Sequence, residues 1–144
     1  MFDEKKLKQL NIILPKAPAP VGAYVAFKKV DNLLFIYGQL PIDKEGKMIK
    51  GKIGKDLTLE QGQEASKLCV ANILSQAKKG MNGDLNKIKN CIKITGFVNS
   101  TDSFTDQPKV INPASEALST LFGENGKHTR AAISANSLPL GVAV

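Results

Sequence analysis

An α+β fold, with helices layered on one face of a sheet, is what the order of elements in this chain predicts, and three observations carry the prediction. Two short runs rich in β-branched and aromatic residues, YVAFKKV and NLLFIYGQLP, meet around Asp31-Asn32, a dipeptide suited to a tight turn. A long stretch from Thr58 to Gly80 carries apolar residues at helical spacing. Alternating segments then lie on both sides of a second helical stretch, which gives the order β-β-α-β-α-β-β and places both helices on one sheet face.

Each element has a local reason. Lys5 to Leu10 suits a short helical turn, after which LPKAPAPVG must run extended, because each proline restricts the residue before it; together they form an N-terminal arm over about residues 1–22. The hairpin follows. DKEGKMIKGKIGK, rich in lysine and glycine, reads as an exposed loop or a ragged strand. Thr58 and Gln61 have the T-x-x-Q spacing of a capping box, Ala65, Leu68, Cys69 and Ile73 make an apolar stripe, and Gly80 suits a left-handed cap. In IKNCIKITGFVN, Ile88, Ile92, Ile94 and Val98 fall on one side and Lys89, Lys93 and Thr95 on the other, as a half-buried strand requires. In FTDQPKVINPASEALSTLFG, Asn112 is expected to cap a helix and Pro113 to occupy its first position, where a missing N–H costs nothing; Pro108 makes the preceding part irregular. A strand is expected from about Thr129 to Ala135, then a turn near Leu138-Pro139 and a last strand beginning at Val142.

Composition bounds the function. A chain of 144 residues, 42% hydrophobic, is long enough for one domain over residues 1–144 with one core. It contains no uninterrupted apolar run of the roughly 18 residues needed to span a bilayer. The N-terminal MFDEKKLKQLN is charged rather than signal-like, so a soluble cytoplasmic protein without a membrane partner is expected. Cys69 and Cys91 stand apart without C-x-x-C spacing, which predicts buried free thiols, and no residue cluster suggests a metal or a cofactor. The net charge of +7 invites a nucleic-acid reading, yet the lysines are scattered and no aromatic residues interleave with them, so solvated surface charge is expected in place of a nucleic-acid face.

The C-terminal pattern T-R-A-A-I, followed by S-L-P and V-A-V, resembles the signature of the Rid family, also called YjgF-like. The resemblance extends over most of the chain: Ala23-Tyr24 after a Pro-rich arm, G-Q-L-P at Gly38 to Pro41, the long helix, and F-V-N at Phe97 to Asn99. It is nearest a subgroup carrying G-F-V-N-S and F-T-D-Q-P. It implies a chorismate-mutase-like fold assembled as a homotrimer, with a pocket for a small carboxylate ligand at each subunit interface. The implied activity is cofactor-free hydrolysis of small 2-imino or enamino acids, such as 2-aminoacrylate and 2-iminopropanoate, to a 2-keto acid and ammonia.

In such a pocket Arg130 is the substrate anchor, because its planar, permanently charged fork matches a carboxylate with two parallel hydrogen bonds. The resemblance implies that Tyr24, Tyr37, Gly38, Gln39 and Ala132 complete the substrate site, and that a glutamate directly after Val144 activates water, so the natural chain is expected to continue past that residue. Three positions depart from the family pattern: Ala131 and Ala132 stand where serine and cysteine are usual, and Tyr37 where serine or threonine precedes G-Q. A non-catalytic trimeric carboxylate-binding or regulatory protein is therefore the alternative, and an endoribonuclease or translation inhibitor the third reading. Residue by residue, other roles stay open. Arg130 could serve as an ion-pair partner, Tyr24 and Tyr37 as strand aromatics, and Gly38 and Gln39 as a strand end. His128, after Gly-Lys, is expected to be solvated in an exposed turn, and Asp102, Asp106 and Glu116 to be solvated caps.

Overall fold

A computed structural model describes residues 1–20 and 22–144. The elements run α1 (Lys5–Gln9), β1 (Phe27–Val30), β2 (Leu33–Ile36), α2 (Leu59–Gly80), β3 (Lys93–Asn99), α3 (Gln107–Phe122) and β4 (Thr129–Ala135). Strands β1 and β2 form the expected antiparallel hairpin, with Phe27 opposite Ile36 and Val30 opposite Leu33. Asp31 takes the left-handed conformation (φ 49°) that so short a connection demands. Strands β3 and β4 pair in parallel, Lys93 opposite Thr129 through Asn99 opposite Ala135, with α3 as their crossover.

The anticipated last strand is reduced to a bridge. Val142 pairs antiparallel with Lys50, and the Asn99 N–H donates to the Ala143 carbonyl (2.9 Å), which seats Val142–Ala143 beside the end of β3 on the side away from β4. Val142 and Ala143 are fully buried there.

Helix α2 starts at the capping box. The Gln61 N–H donates to Thr58 Oγ1 (3.2 Å) and the Thr58 N–H donates to Gln61 Oε1 (2.8 Å), so two otherwise unpaired amides of the first turn are satisfied. Its buried residues, Ala65, Cys69, Val70, Ala71, Leu74 and Ala77, extend well beyond the expected stripe, because α2 is packed both against the strands and against α3; Leu68 and Ile73 are only half-buried. The helix stop differs too. Gly80 remains helical, and the left-handed turn falls on Asn82 (φ 54°) and Gly83 (φ 90°), whose N–H returns to the Lys78 carbonyl at 2.8 Å. Gly80 serves packing instead, since a Cβ there would lie 3.1 Å from Leu34 and 3.3 Å from Phe27 of the hairpin.

Helix α3 begins six residues earlier than expected. Asp106 is its first flanking residue, Pro108 sits in the first turn, and Asn112 and Pro113 lie inside the helix. A proline there removes the hydrogen bond to the carbonyl four residues back. That carbonyl, on Lys109, accepts instead from Gln63 Nε2 of α2 at 2.9 Å, so the neighbouring helix satisfies the group that Pro113 frees.

Strand β3 is shorter than the alternation suggested. Ile88 closes a 3₁₀ turn and packs on the core from a loop, and Ile92 precedes the strand and is exposed. Within β3, Ile94, Gly96 and Val98 face the helices, and at Gly96 a Cβ would lie 2.5 Å from Ile111 of α3. The other face is uncovered in a single chain. Phe97 and Ile133, direct neighbours in the ladder, are each 49% exposed, and Val30, Leu33 and Phe35 project from the outer face of the hairpin. Among the described residues no helix is long and apolar enough to cross a membrane.

Candidate functional site

Arg130 is the second residue of β4, a strand whose far side pairs with no other strand among the described residues. The Thr129 N–H points at β3, donating to the Ile92 carbonyl at 3.0 Å. Successive residues of a strand alternate in direction, so the N–H and C=O groups of Arg130, Ala132 and Ser134 point outward along the open edge. The side chain of Arg130 lies on the helix face, opposite Ile94, and reaches α3: Nη1 donates to Asn112 Oδ1 (3.0 Å) and to Ser115 Oγ (3.2 Å). Both partners are neutral. Among the described residues no carboxylate lies within 4.0 Å of the guanidinium, which removes the ion-pair reading within one chain.

His128 corrects the expectation of a solvated ring. It is half-buried, with Nδ1 2.7 Å from the Gly126 carbonyl and Nε2 3.0 Å from Ser115 Oγ. A lone histidine after Gly-Lys carries no local signal of this, because the partner lies on α3 and only the packing of β4 on that helix joins them.

The remaining candidates assemble elsewhere. The rings of Tyr24 and Tyr37 meet at 5.5 Å between centroids, tilted by 51°, and Tyr24 is 52% exposed. The Tyr37 N–H prolongs the hairpin by donating to the Ala26 carbonyl (3.1 Å), and Gln39 Nε2 folds back onto the Tyr37 carbonyl (3.1 Å). Gly38 is exposed, and a Cβ there would meet nothing within 4 Å. Cys69 Sγ of α2 touches both the Gln39 carbonyl (3.5 Å) and the Val144 carbonyl (3.7 Å), so the Tyr37–Gln39 segment neighbours the end of the described chain. Strand β4, which carries Arg130 and Ala132, pairs with β3, whereas Tyr37 prolongs the hairpin, a separate two-stranded sheet. Residues 142–143 lie beside β3 and pair on with residues 49–51. Among the described residues no hydrogen bond joins Arg130 or Ala132 to the tyrosine group, so one chain keeps the two sets of candidates apart.

Lys52, which the sequence left in a featureless loop, ties the far ends of β3 and β4 together: Nζ donates to Asn99 Oδ1 (2.8 Å) and to the Asn136 carbonyl (2.7 Å). Asn99 in turn donates to the carbonyls of Gly51 and Val142 (3.3 and 3.2 Å). That network is structural, and it fixes the segment leading to Val144.

Neither cysteine is disulfide-bonded; Cys69 is buried as expected, whereas Cys91 is only half-buried. Burial pushes the Cys69 thiol from its ordinary 9.0 up to about 12, and raises Cys91 as well. The raised value means that the folded state favours the neutral thiol. Its contribution to stability is complete below pH 9.0 and is lost as the pH climbs toward about 12. In the native protein at pH 8 an alkylating reagent should modify Cys91 and spare Cys69, which peptide mapping by mass spectrometry reads directly.

The comparisons with known proteins agree with this architecture. The family described as "YjgF/chorismate mutase-like, putative endoribonuclease" matches residues 4–143. Protein TCP17 of Trypanosoma cruzi is 40% identical over 96% of this chain and 86% of the relative, and a RutC family protein of Pyrococcus abyssi is 31% identical over 92% and 89%. Among solved structures, a protein of unknown function from Agrobacterium tumefaciens superposes with a TM-score of 0.90 at 42% identity, covering 97% of this chain and 86% of that one. A fold with a parallel β3–β4 pair crossed over by α3, matched over nearly its whole length by these proteins, makes the chain a member of the YjgF/chorismate-mutase-like family.

Proposed function

We propose that the protein hydrolyses small 2-imino acids at a site shared by two copies of the chain in a homotrimer. The observation that carries this reading is Arg130: a half-buried guanidinium at an open strand edge, held by neutral partners and bearing an uncancelled charge. Such a group binds a carboxylate far better than one already neutralised by an acid.

The chemistry follows from the edge. With the substrate carboxylate on Arg130, the outward carbonyl of Arg130 can accept an N–H of the iminium nitrogen and the outward N–H of Ala132 can hold an oxygen. Water adds to C2, forming a C–O bond and a tetrahedral aminoalcohol. Transfer of a proton to nitrogen then breaks the C–N bond and releases ammonia and the 2-keto acid. The family resemblance assigns the activation of water to a glutamate expected directly after Val144, and Val144 itself lies near Gln39, both carbonyls touching the Cys69 thiol. Only backbone groups act at positions 131 and 132, so alanines there are compatible with the reaction.

Assembly supplies the missing half of the site. A contact that brings the open β4 edge of one copy against the Tyr24–Gln39 edge of another is head-to-tail, and such contacts repeat into a closed ring. The uncovered face bearing Phe97, Ile133 and Phe35 would then line the inside of the ring. The absence of side-chain chemistry at Ala131 and Ala132 also favours a second reading, a carboxylate-binding protein without turnover. RNA cleavage has less support, since the single histidine is engaged on both ring nitrogens. Enzymatically generated 2-aminoacrylate separates the readings. A deaminase hastens ammonia release severalfold over the buffer rate and runs at the three-chain mass on a sizing column; a binder takes up pyruvate with no acceleration. Cleavage of single-stranded RNA with neither of these would overturn both.

A further inference from the structure

We infer that Ser115 and His128 are positioning residues for Arg130: a neutral hydrogen-bond relay that aims the guanidinium without cancelling its charge, and so sets the preference of the site for carboxylates. The inference rests on the carboxylate-anchoring reading above and extends it to two residues outside the expected site, one on α3 and one just before β4.

The direction of the relay is fixed by chemistry. A backbone carbonyl only accepts, so at 2.7 Å from the Gly126 oxygen, His128 Nδ1 must carry the proton. Nε2 of the neutral ring then offers a lone pair, and Ser115, 3.0 Å away, donates its hydroxyl proton to it. The serine oxygen is left as an acceptor facing Arg130 Nη1 at 3.2 Å. Without the histidine the hydroxyl is free to rotate, and the arginine loses an oriented acceptor. Asn112, one turn earlier on α3, gives Nη1 its second acceptor at 3.0 Å.

The relay is anchored at its far end. Gly126 is buried against α3, where a Cβ would lie 2.1 Å from the Leu118 carbonyl oxygen, so its own carbonyl cannot drift away from the ring. Only Nη1 is engaged. Nη2 and Nε have no hydrogen-bond partner among the described residues, and together they form the edge of the fork that meets a carboxylate bidentately. An aspartate or glutamate in place of Ser115 would hold the arginine as firmly but would compete with the ligand. Neutral partners avoid that competition.

The test measures pyruvate binding by NMR titration, with pyruvamide as the uncharged control, and steady-state hydrolysis of 2-iminopropanoate. Ser115→Ala and His128→Ala should each weaken pyruvate about five- to tenfold and raise KM by the same factor, leaving pyruvamide binding and kcat within about twofold. His128→Gln, whose amide oxygen can stand where Nε2 stood, should recover most of the loss. Because the two residues act in series, the double alanine variant should bind pyruvate no worse than either single one. Variants that match the native protein in pyruvate affinity, or losses that simply add, would overturn the relay while leaving Arg130 as the anchor. If Ser115→Ala fails to fold, the His128→Ala and His128→Gln pair decides alone. Failure of the unaltered protein to bind pyruvate would instead remove the carboxylate-anchoring reading and the relay with it.

Discussion

Arg130→Ala should abolish recognition of the substrate carboxylate, lowering kcat/KM for 2-iminopropanoate by about 10²–10³-fold. Arg130→Lys should recover little, because a point charge on a flexible stem cannot reproduce two parallel hydrogen bonds from a fixed fork. Stability should hardly change in either case. The side chain is half-buried at an open edge and contributes two hydrogen bonds to neutral groups that solvent can replace. Parallel measurement of imine hydrolysis and of thermal unfolding checks both halves of the statement. An Arg130→Ala protein that melts well below the parent would mark the arginine as a structural strut.

The largest effect on stability should come from Gly126→Ala. The added Cβ would lie 2.1 Å from the Leu118 carbonyl oxygen, 2.6 Å from its carbon and 2.9 Å from the Ser119 Cα, all backbone atoms of the last turns of α3. No rotamer relieves a backbone clash, so the segment 123–126 and the helix must part. A cost of about 3–5 kcal/mol is expected, enough to lower the melting temperature by roughly 10 °C or more in a chain of this size. The same displacement carries the Gly126 carbonyl away from His128 Nδ1, so whatever variant survives should bind pyruvate more weakly. Gly38→Ala is the control, because its Cβ would enter open space.

The parts of the fold that were legible in the sequence are those determined by neighbours along the chain. The Thr58–Gln61 capping box and the Asp31-Asn32 turn each depend on a few adjacent residues, and β4 occupies the expected Thr129–Ala135. The start of α3 was misplaced because Asn112-Pro113 is a good local helix opening, whereas the true start at Gln107 is made acceptable by Gln63 capping the Lys109 carbonyl from another helix. Ile92 was misjudged for a similar reason: alternation continues through a loop where no partner strand follows it.

The candidate site was half legible. Arg130 stood out because the residues around it carry a family pattern, and its position in β4 follows from that pattern. Asn112, Ser115 and His128 did not, since a cap, a helix-surface serine and a turn histidine are each ordinary on their own. Their meaning arises where β4 docks on α3. The separation of Arg130 from the tyrosine pair was also out of reach, because it depends on which strands pair: β4 joins β3, while Tyr37 prolongs the separate hairpin.

That separation allows the shared site to be tested by complementation. Gly38→Glu should leave the fold intact, there being nothing within 4 Å of its Cβ, yet place a carboxylate beside Tyr37, where the proposed assembly brings Arg130 of a neighbouring copy and where it would exclude the substrate. Arg130→Ala and Gly38→Glu proteins should each be inactive toward 2-iminopropanoate. After mixing in equal amounts, unfolding and reassembling, random trimers should pair an intact Arg130 edge with an intact Gly38 edge at about one interface in four. Recovery of roughly a quarter of the parental activity is the expected result. A mixture as inactive as its components would contradict a site built from two copies of the chain.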